Sequence, residues 1–261
     1  MSDETTIEVP GRMKGCNPSS PGKLMRAVYI PAHLADLPPP PSIYDAHNGF
    51  AGYQMFGNST YGDCVVARFC NSILGLTFAA DGAPCTITEK NATDNYFAQT
   101  GGADSGLNLA DALDYWNQNG LRDAAGKLHK PDVYGGVDPQ DIDGFNTACY
   151  YCDGLDIAIS TPRSFMNSND GDTLDWTGGR PGPVDHCVGI AGRRADGCWK
   201  LITWGGIRWV TDTGISACTG EAWATPLTTD RLTPGGVTVE GFDLQELQRQ
   251  FAVFQNKPLT P

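Results

Sequence analysis

Residues 186–209 read HCVGIAGRRADGCWKLITWGGIRW, and they carry the clearest structural pattern in the chain. An apolar run opens on His186 and ends at a glycine, which is typical of a buried strand. A turn (ADG) and a second apolar run follow, and the pattern closes on the letters WGG. The stretch therefore predicts a β-hairpin that begins with a histidine.

The rest of the chain separates into a helical first half and a strand-rich second half. Apolar positions at helical spacing predict helices over residues 63–76, 88–100, 107–120, 138–154 (with Asp138 as the N-cap) and 242–254. Short apolar runs bounded by Gly, Pro and Asp predict strands at 155–160, 187–192, 198–204 and 221–227. This segregation predicts an α+β fold, with a helical lobe followed by an antiparallel β-rich lobe.

The composition is that of a globular protein and excludes some partners. Of 261 residues, 40% are hydrophobic and 18% charged, and the chain is long enough for a substantial core. The formal net charge is −12, with a pI near 4.6. Because nucleic acids and anionic membranes are bound through a surplus of Lys and Arg, neither is an expected partner.

The N-terminus and the cysteines indicate the compartment. The first 15 residues show no basic stretch followed by an apolar one, so we expect no signal peptide. Nine cysteines are present, an odd number, and reduced thiols are the default without a secretory route. We expect a cytoplasmic protein, or a virion-associated one if it is phage-encoded.

The first 40 residues have few periodic apolar positions and end in LPPPP. They predict an irregular, proline-rich N-terminal arm, which suits docking to a partner. Residues 41–261 form the predicted domain, with a helical lobe at about 57–154, a β-rich lobe at about 155–240 and a C-terminal helix at about 242–255.

Cys64 and His186 are the candidates for chemistry. Cys64 follows Asp63, a good N-cap, so it lies in the first helical turn, where partial positive charge lowers a thiol pKa. The alternative is a small buried hydrophobe. Of the four histidines, His186 alone opens a predicted strand, which is a rigid mount for a general base.

These features resemble the papain-like cysteine peptidases. In that superfamily a His begins a strand, a hairpin follows, and the next strand leads into Asn-Ser-Trp-Gly. A Gln lies six residues before the nucleophilic Cys, and here that position is Asn58. The resemblance implies that Cys64 is the nucleophile and His186 the general base, then acid. Asn58 and the Cys64 N–H would stabilise the oxyanion.

A closer resemblance is to a largely uncharacterised family of bacterial and phage proteins. Its members carry Gly-Asn-x-x-x-Gly-Asp-Cys, a strand-initial His and a Thr-Trp-Gly segment. The similar blocks in this chain are GNSTYGDCVVARF, DSGLNLADALDYWNQNGL, HCVGIAG, ITWGGIRW, EAWA and GFDLQELQ, which span about residues 57–251. Several similar blocks in the same order indicate the fold specifically, but they indicate the function much less specifically.

The third catalytic residue departs from the papain-like pattern. The Asn that orients the His would fall at Ile202, which cannot hydrogen-bond, or at Thr203, which can do so through its hydroxyl. Asp185 is adjacent to His186 but belongs to the opposite face of a strand. Loss of the orienting group lowers turnover without abolishing Cys–His chemistry.

Two functions therefore stay open. One is a cysteine hydrolase that cleaves an amide bond in a peptide or peptidoglycan-like substrate, as a peptidase or a cell-wall amidase. The other is a catalytically weak or inactive papain-like scaffold that binds a protein partner through its arm, for example a phage particle component. Whether the protein is an enzyme is left undecided at this level.

No cofactor and no metal are expected. The pair Cys149 and Cys152 has CxxC spacing, but it lies in a predicted helix without a second pair at zinc-ribbon spacing. The stretch NSNDGDTLDW has oxygen ligands at alternating positions but lacks the downstream Glu of a calcium loop.

Overall fold

The structure is a computed structural model that describes residues 9–24, 38–131, 134–226 and 230. The helix predicted at 242–254 and part of the N-terminal arm lie outside these ranges. The helices are α1 (Pro21–Leu24), α2 (Cys64–Asp81), α3 (Glu89–Thr100), α4 (Leu109–Asn119), α5 (Ile142–Tyr151), α6 (Arg163–Met166) and α7 (Asp212–Cys218).

Twelve strands lie in the described ranges, and eight of them form one large sheet. The strands are β1 (Cys16–Asn17), β2 (Tyr44–Asp45), β3 (Leu107–Asn108), β4 (Leu121–Arg122), β5 (Leu128–His129), β6 (Gly135–Val137), β7 (Leu155–Ile159), β8 (Thr173–Leu174), β9 (His186–Arg193), β10 (Trp199–Thr203), β11 (Gly206–Val210) and β12 (Thr219–Ala224). The main sheet has the order β6-β12-β7-β9-β10-β11-β8, with β2 also paired to β9. Only the β8–β11 pairing in this sheet is parallel.

Helix α2 is the central element of the first half. Among the described residues it alone has the length and apolar composition to cross a membrane, yet 83% of it is buried inside the protein. It packs on α3, α4 and β9, and Phe69 stacks on Trp116 of α4 with ring centroids 4.2 Å apart. A helix that is apolar on all sides is stable in water only when other elements cover it.

A second apolar cluster fills the β-rich half. It joins α5 to the inner face of the sheet, and Phe145 meets Trp199 edge-to-face at 5.0 Å. Helix α5 begins at Ile142 and is capped by Asp141, whose side chain accepts the Gly144 N–H. The predicted start at Asp138 is therefore wrong by one turn, because Asp138 instead accepts the Gln140 N–H in a preceding turn.

The predicted hairpin forms the centre of the sheet and positions the candidate residues. Strands β9 and β10 are antiparallel. His186 at the start of β9 and Thr203 at the end of β10 therefore lie close together, at the same end of the two strands. Trp204 and Gly205 make the two-residue turn into β11, and both have positive φ (44° and 68°). This backbone is that of a type I′ turn, which a glycine adopts freely and a tryptophan does not.

Candidate active site

Cys64 lies at the N-terminus of α2 and under the start of β9. Its Sγ accepts the backbone N–H of Cys187 at 3.4 Å, and the side chain is 2% exposed. Asp63 occupies the N-cap position but makes no side-chain capping bond. The thiol therefore sits at a helix N-terminus as predicted, without the predicted cap.

The loop before Cys64 is held by a partly buried polar network. Asp104 accepts the Gly62 N–H at 2.9 Å and the Tyr96 hydroxyl at 2.7 Å. The Tyr96 oxygen in turn accepts the Gly106 N–H at 2.8 Å. These bonds join α3 and the following loop to the residues that lead into Cys64, so the helix start has one defined position.

His186 is fixed through one ring nitrogen and free at the other. Its Nε2 lies 2.7 Å from Oγ1 of Thr203. Its buried Nδ1 has no hydrogen-bond partner among the residues described. When Nε2–H donates to Thr203, Nδ1 carries the lone pair, which is the tautomer a general base needs. The carboxylate of Asp185 bonds Thr161 and Lys14 instead of the imidazole.

Trp204 covers the imidazole. The two rings stack at 4.4 Å with an interplanar angle of 14°. Trp204 is only partly buried, and it contacts His186. Positive φ at a bulky aromatic residue is unfavourable and persists where the surroundings enforce it. Here the stacking shields the Nε2–Thr203 hydrogen bond from water.

Residues 12–17, which we call the N-terminal strap, cross this site. On one side, the Met13 N–H donates to the Asn58 carbonyl at 3.0 Å, and the Gly15 carbonyl accepts the Leu107 N–H at 2.8 Å. On the other, the Cys16 N–H donates to the Asp185 carbonyl at 3.1 Å, and the Met13 carbonyl accepts Nε1 of Trp204 at 3.2 Å.

An ion pair and a cation–π contact also attach the strap. Lys14 pairs with Asp185 at 2.5 Å, and the Arg12 guanidinium lies 5.2 Å from the Trp204 ring. Strand β1, the end of the strap, pairs in parallel with β3. The strap is thus bonded to both sides of the cleft between the helical half and the β-rich half.

Almost no free space remains beside the thiol. The remaining cavity is about 10 Å³, which holds about one water molecule. Its lining is Gln54, Met55, Asn58, Cys64, Ala67, Arg68, Asn71, His186, Cys187, Ile202, Thr203 and Trp204. A peptide cannot enter a cavity of this size while the strap is in place.

Burial sets the protonation of the pair. It raises the pKa of Cys64 to about 12, although the Cys187 and Gly15 backbone N–H groups lower it somewhat. Burial also lowers the pKa of His186 to about 3. The sequence predicted a lowered thiol pKa, but desolvation outweighs the helix terminus in this closed form. Both groups are neutral at pH 7.

All four predicted site residues line the same cavity, namely Cys64, His186, Asn58 and Thr203. The Asn58 Nδ2 donates a hydrogen bond to the Tyr61 carbonyl at 3.2 Å. Ile202 also lines the cavity, but Thr203 is the residue bonded to the imidazole.

Sequence reasoning missed two parts of the site wall. Asn71, on α2, exchanges two hydrogen bonds of 2.9 Å with the backbone of Gln54 and so fixes the chain opposite Trp204. Arg68, one helical turn after Cys64, forms a buried ion pair with Asp156 at 2.9 Å. The spacing of an Arg four residues after Cys64 was the available signal, because both then share a helix face.

Asp63 makes stability depend on pH. It is fully buried, and burial raises the pKa of its carboxyl to about 7. The unfolded value is about 3.9, so between pH 4 and 7 the folded state binds more protons and stability falls as pH rises. We expect Asp63→Asn to remove this fall, by as much as about 4 kcal/mol above pH 7.

Urea unfolding at pH 4, 5.5 and 7.5 measures this effect. Asp94→Asn is the matched control, because Asp94 is exposed on α3 and pairs with Lys90 at the surface. Equal pH slopes in the Asp63 variant and the parent would show that Asp63 is not the group responsible.

The comparisons with known proteins agree with this geometry at the level of the fold. No family model matches the chain, and no curated protein does. The resemblance to the bacterial and phage family thus stays a prediction.

Solved structures do match. Xylellain, a cysteine protease from Xylella fastidiosa, is 15% identical with a TM-score of 0.60, covering 85% of this chain and 98% of its own. Procathepsin L 3 of the Tenebrio molitor larval midgut is 14% identical with a TM-score of 0.59, covering 83% and 76%. A Carica candamarcensis cysteine protease in complex with E-64 is 15% identical with a TM-score of 0.53, covering 71% and 98%.

The fold is therefore the papain-like α+β fold, as the sequence predicted. The solved structures with this fold include cysteine proteases from Xylella fastidiosa and Carica candamarcensis. At these identities the likeness establishes the fold, and the activity has to be argued from the site.

Proposed function

We propose that this protein is a papain-like cysteine peptidase held latent by its N-terminal strap. The observation that carries the proposal is the arrangement of His186. Thr203 holds Nε2, and the unpartnered Nδ1 lies in the cavity that Cys64 also lines. A Cys–His pair needs a base that is rigidly mounted and has one free nitrogen, and this histidine meets both conditions.

The chemistry follows from these positions once a peptide replaces the strap. Nδ1 of His186 takes the thiol proton, and the Cys64 sulfur attacks the substrate carbonyl carbon. The Cys64 N–H and the Asn58 amide donate to the oxyanion. The imidazolium then protonates the leaving amine, and water hydrolyses the thioester with the imidazole as base, which regenerates the thiol.

The strap explains why Cys64 and His186 are inactive while it covers them. It excludes water from Cys64 and His186, so the neutral forms dominate and the ion pair that a nucleophilic thiolate requires is absent. Displacement of the strap rehydrates both groups, which lowers the thiol pKa and raises that of the imidazole. Latency is thus a consequence of desolvation as well as of steric blockage.

A peptide is the substrate we favour over a cell-wall amide. The strap itself is an extended chain that bonds both walls of the cleft through its backbone, at Asn58, Leu107 and Asp185. A peptide substrate can make backbone hydrogen bonds of the same kind. The Carica protease neighbour binds the inhibitor E-64, and we expect E-64 to bind here after the strap is displaced.

Hydrolysis of a mixed peptide library tests the proposal. The active form is Gly15→Val, because a Cβ at Gly15 would lie 2.0 Å from the Gly62 carbonyl oxygen, so the strap cannot keep its position against Gly62. We expect cleavage by Gly15→Val that E-64 inhibits, little cleavage by the parent, and none by Gly15→Val with Cys64→Ala. Gly22→Ala is the control, because open space surrounds that Cβ.

One observation favours the scaffold alternative. Thr203 replaces the asparagine of the papain-like pattern, and a hydroxyl orients an imidazole less firmly than an amide does. If the Gly15→Val protein has an exposed, alkylatable Cys64 but cleaves no peptide, the protein is an inactive papain-like scaffold.

Thr203→Val tests the orienting bond directly. The change preserves shape and removes the hydroxyl from Nε2, so in the Gly15→Val background we expect kcat to fall about 10-fold with KM nearly unchanged. Thr203→Asn restores the amide of the papain-like pattern and should keep or raise kcat. Equal kcat in all three proteins would show that Trp204 stacking alone orients His186.

A further inference from the structure

A second cluster of reactive side chains lies at the other end of α2. Cys85 follows the C-terminus of this helix, and His129 and Asp123 belong to the β4–β5 hairpin. An 18-residue helix is about 27 Å long, so the cluster is remote from Cys64. The hairpin lies against the loop after α2, since the Ala124 N–H donates to the Thr86 carbonyl at 2.8 Å.

His129 is held in one tautomer. Its ring is fully buried, and its Nδ1 lies 2.7 Å from Oδ2 of Asp230, which is itself 2% exposed. That bond has the length of a charge-assisted hydrogen bond in which Nδ1–H donates. A carboxylate on the far nitrogen of a histidine is the usual support of a metal-binding imidazole, because it fixes the ring and raises the basicity of the other nitrogen.

The opposite nitrogen faces two further ligand atoms. Nε2 of His129 is 3.3 Å from Oδ2 of Asp123. One ligand atom each from Cys85, Asp123 and His129 lies within 4.8 Å of the others. The second oxygen of Asp123 accepts the Lys127 N–H at 2.8 Å, which orients the carboxylate and leaves Oδ2 toward the histidine.

We propose that Cys85, Asp123 and His129 bind one Zn²⁺ ion, with Asp230 as the outer support of the histidine. The Nε2–Oδ2 separation matches this assignment. Two ligands at about 2.0–2.1 Å from a tetrahedral zinc lie about 3.3 Å apart, whereas a charge-assisted N–H···O bond is about 2.7–2.9 Å. Cys85 is only partly buried, so it provides the path by which an ion enters.

The donor set selects zinc among the common divalent ions. Thiolate and imidazole disfavour Mg²⁺ and Ca²⁺, which take oxygen ligands. One sulfur, one nitrogen and one oxygen leave a fourth tetrahedral position for water. Lys127 pairs with Asp230 at 2.9 Å and offsets one of the negative charges around the ion.

Through its ligands the ion joins the loop after α2 to the β4–β5 hairpin, and the His129–Asp230 bond connects the site to residue 230. The fixed C-terminus of α2 then supports the helix whose N-terminus presents Cys64.

Metal titration of the full-length protein tests the site. Cys64→Ala is the parent, so that the thiol of the candidate active site does not compete. We expect one Zn²⁺ per chain, bound in competition with a chromophoric chelator. We also expect Co²⁺ to show tetrahedral visible bands and a thiolate charge-transfer band.

Variants assign the ligands. Cys85→Ser should abolish the charge-transfer band, and both Cys85→Ser and Asp123→Asn should weaken Zn²⁺ binding more than 100-fold. Asp230→Asn should weaken it about 10–100-fold, as an outer support does. Cys198→Ser, a cysteine of the β9–β10 hairpin, is the control and should change nothing. Undiminished binding in Cys85→Ser and Asp123→Asn, or no binding at micromolar Zn²⁺, would overturn the proposal.

Discussion

Replacement of Gly15 by valine is expected to raise the alkylation rate of Cys64 by iodoacetamide at pH 7 about a thousandfold. Burial raises the pKa of Cys64 to about 12, so only about one thiol in 10⁵ is ionised at pH 7. A solvated thiol with a pKa near 8.5 is a few per cent ionised. The valine side chain would overlap the Gly62 backbone, and the strap must leave the cleft.

Peptide-resolved mass spectrometry over time measures the alkylation rate of Cys64 alone among the nine cysteines. Gly22→Ala should react at the parent rate. In the Gly15→Val background, His186→Ala should move the midpoint of the pH–rate curve up to that of an ordinary thiol. If Gly15→Val reacts no faster than Gly22→Ala, the strap is not what shields Cys64, and the latency proposal fails.

Loss of the Arg68 guanidinium is expected to destabilise the fold by about 3–5 kcal/mol. Arg68 is 3% exposed, and its Nε lies 2.9 Å from Oδ1 of Asp156, which is fully buried. Arg68→Met keeps most of the side-chain length but leaves the Asp156 carboxylate in the protein interior without its cation. For a chain of this size the melting temperature should fall by about 10 °C.

The double variant Arg68→Met with Asp156→Leu shows whether the loss of stability comes from the unpaired charge or from altered packing around Arg68. Replacing both partners of a buried pair by apolar groups is often nearly neutral, so most of the stability should return. Urea unfolding of the three proteins at pH 7 gives the free energies. A double variant as unstable as the single one would show that packing around Arg68, and not its charge, supports the site.

The sequence alone determined the local elements and which of them present chemistry. The apolar periodicity after Asp63 placed Cys64 in the first turn of a helix. The helices predicted to end near residues 100 and 120 do end there, with Gly101 and Gly120 as their C-caps. His186 opens its strand as predicted. Such features depend on hydrogen bonds and side-chain patterns within about ten residues, which a single sequence displays directly.

Only the tertiary structure decided how those elements meet. The register of β9 against β10 makes Thr203 the partner of His186, and the position of the strap reverses the expected pKa shift of Cys64. The candidate zinc ligands Cys85 and Asp123 are likewise 38 residues apart, and His129 is about a hundred residues from Asp230, which supports it. Contacts over such distances depend on the packing of the whole chain, which no local pattern encodes.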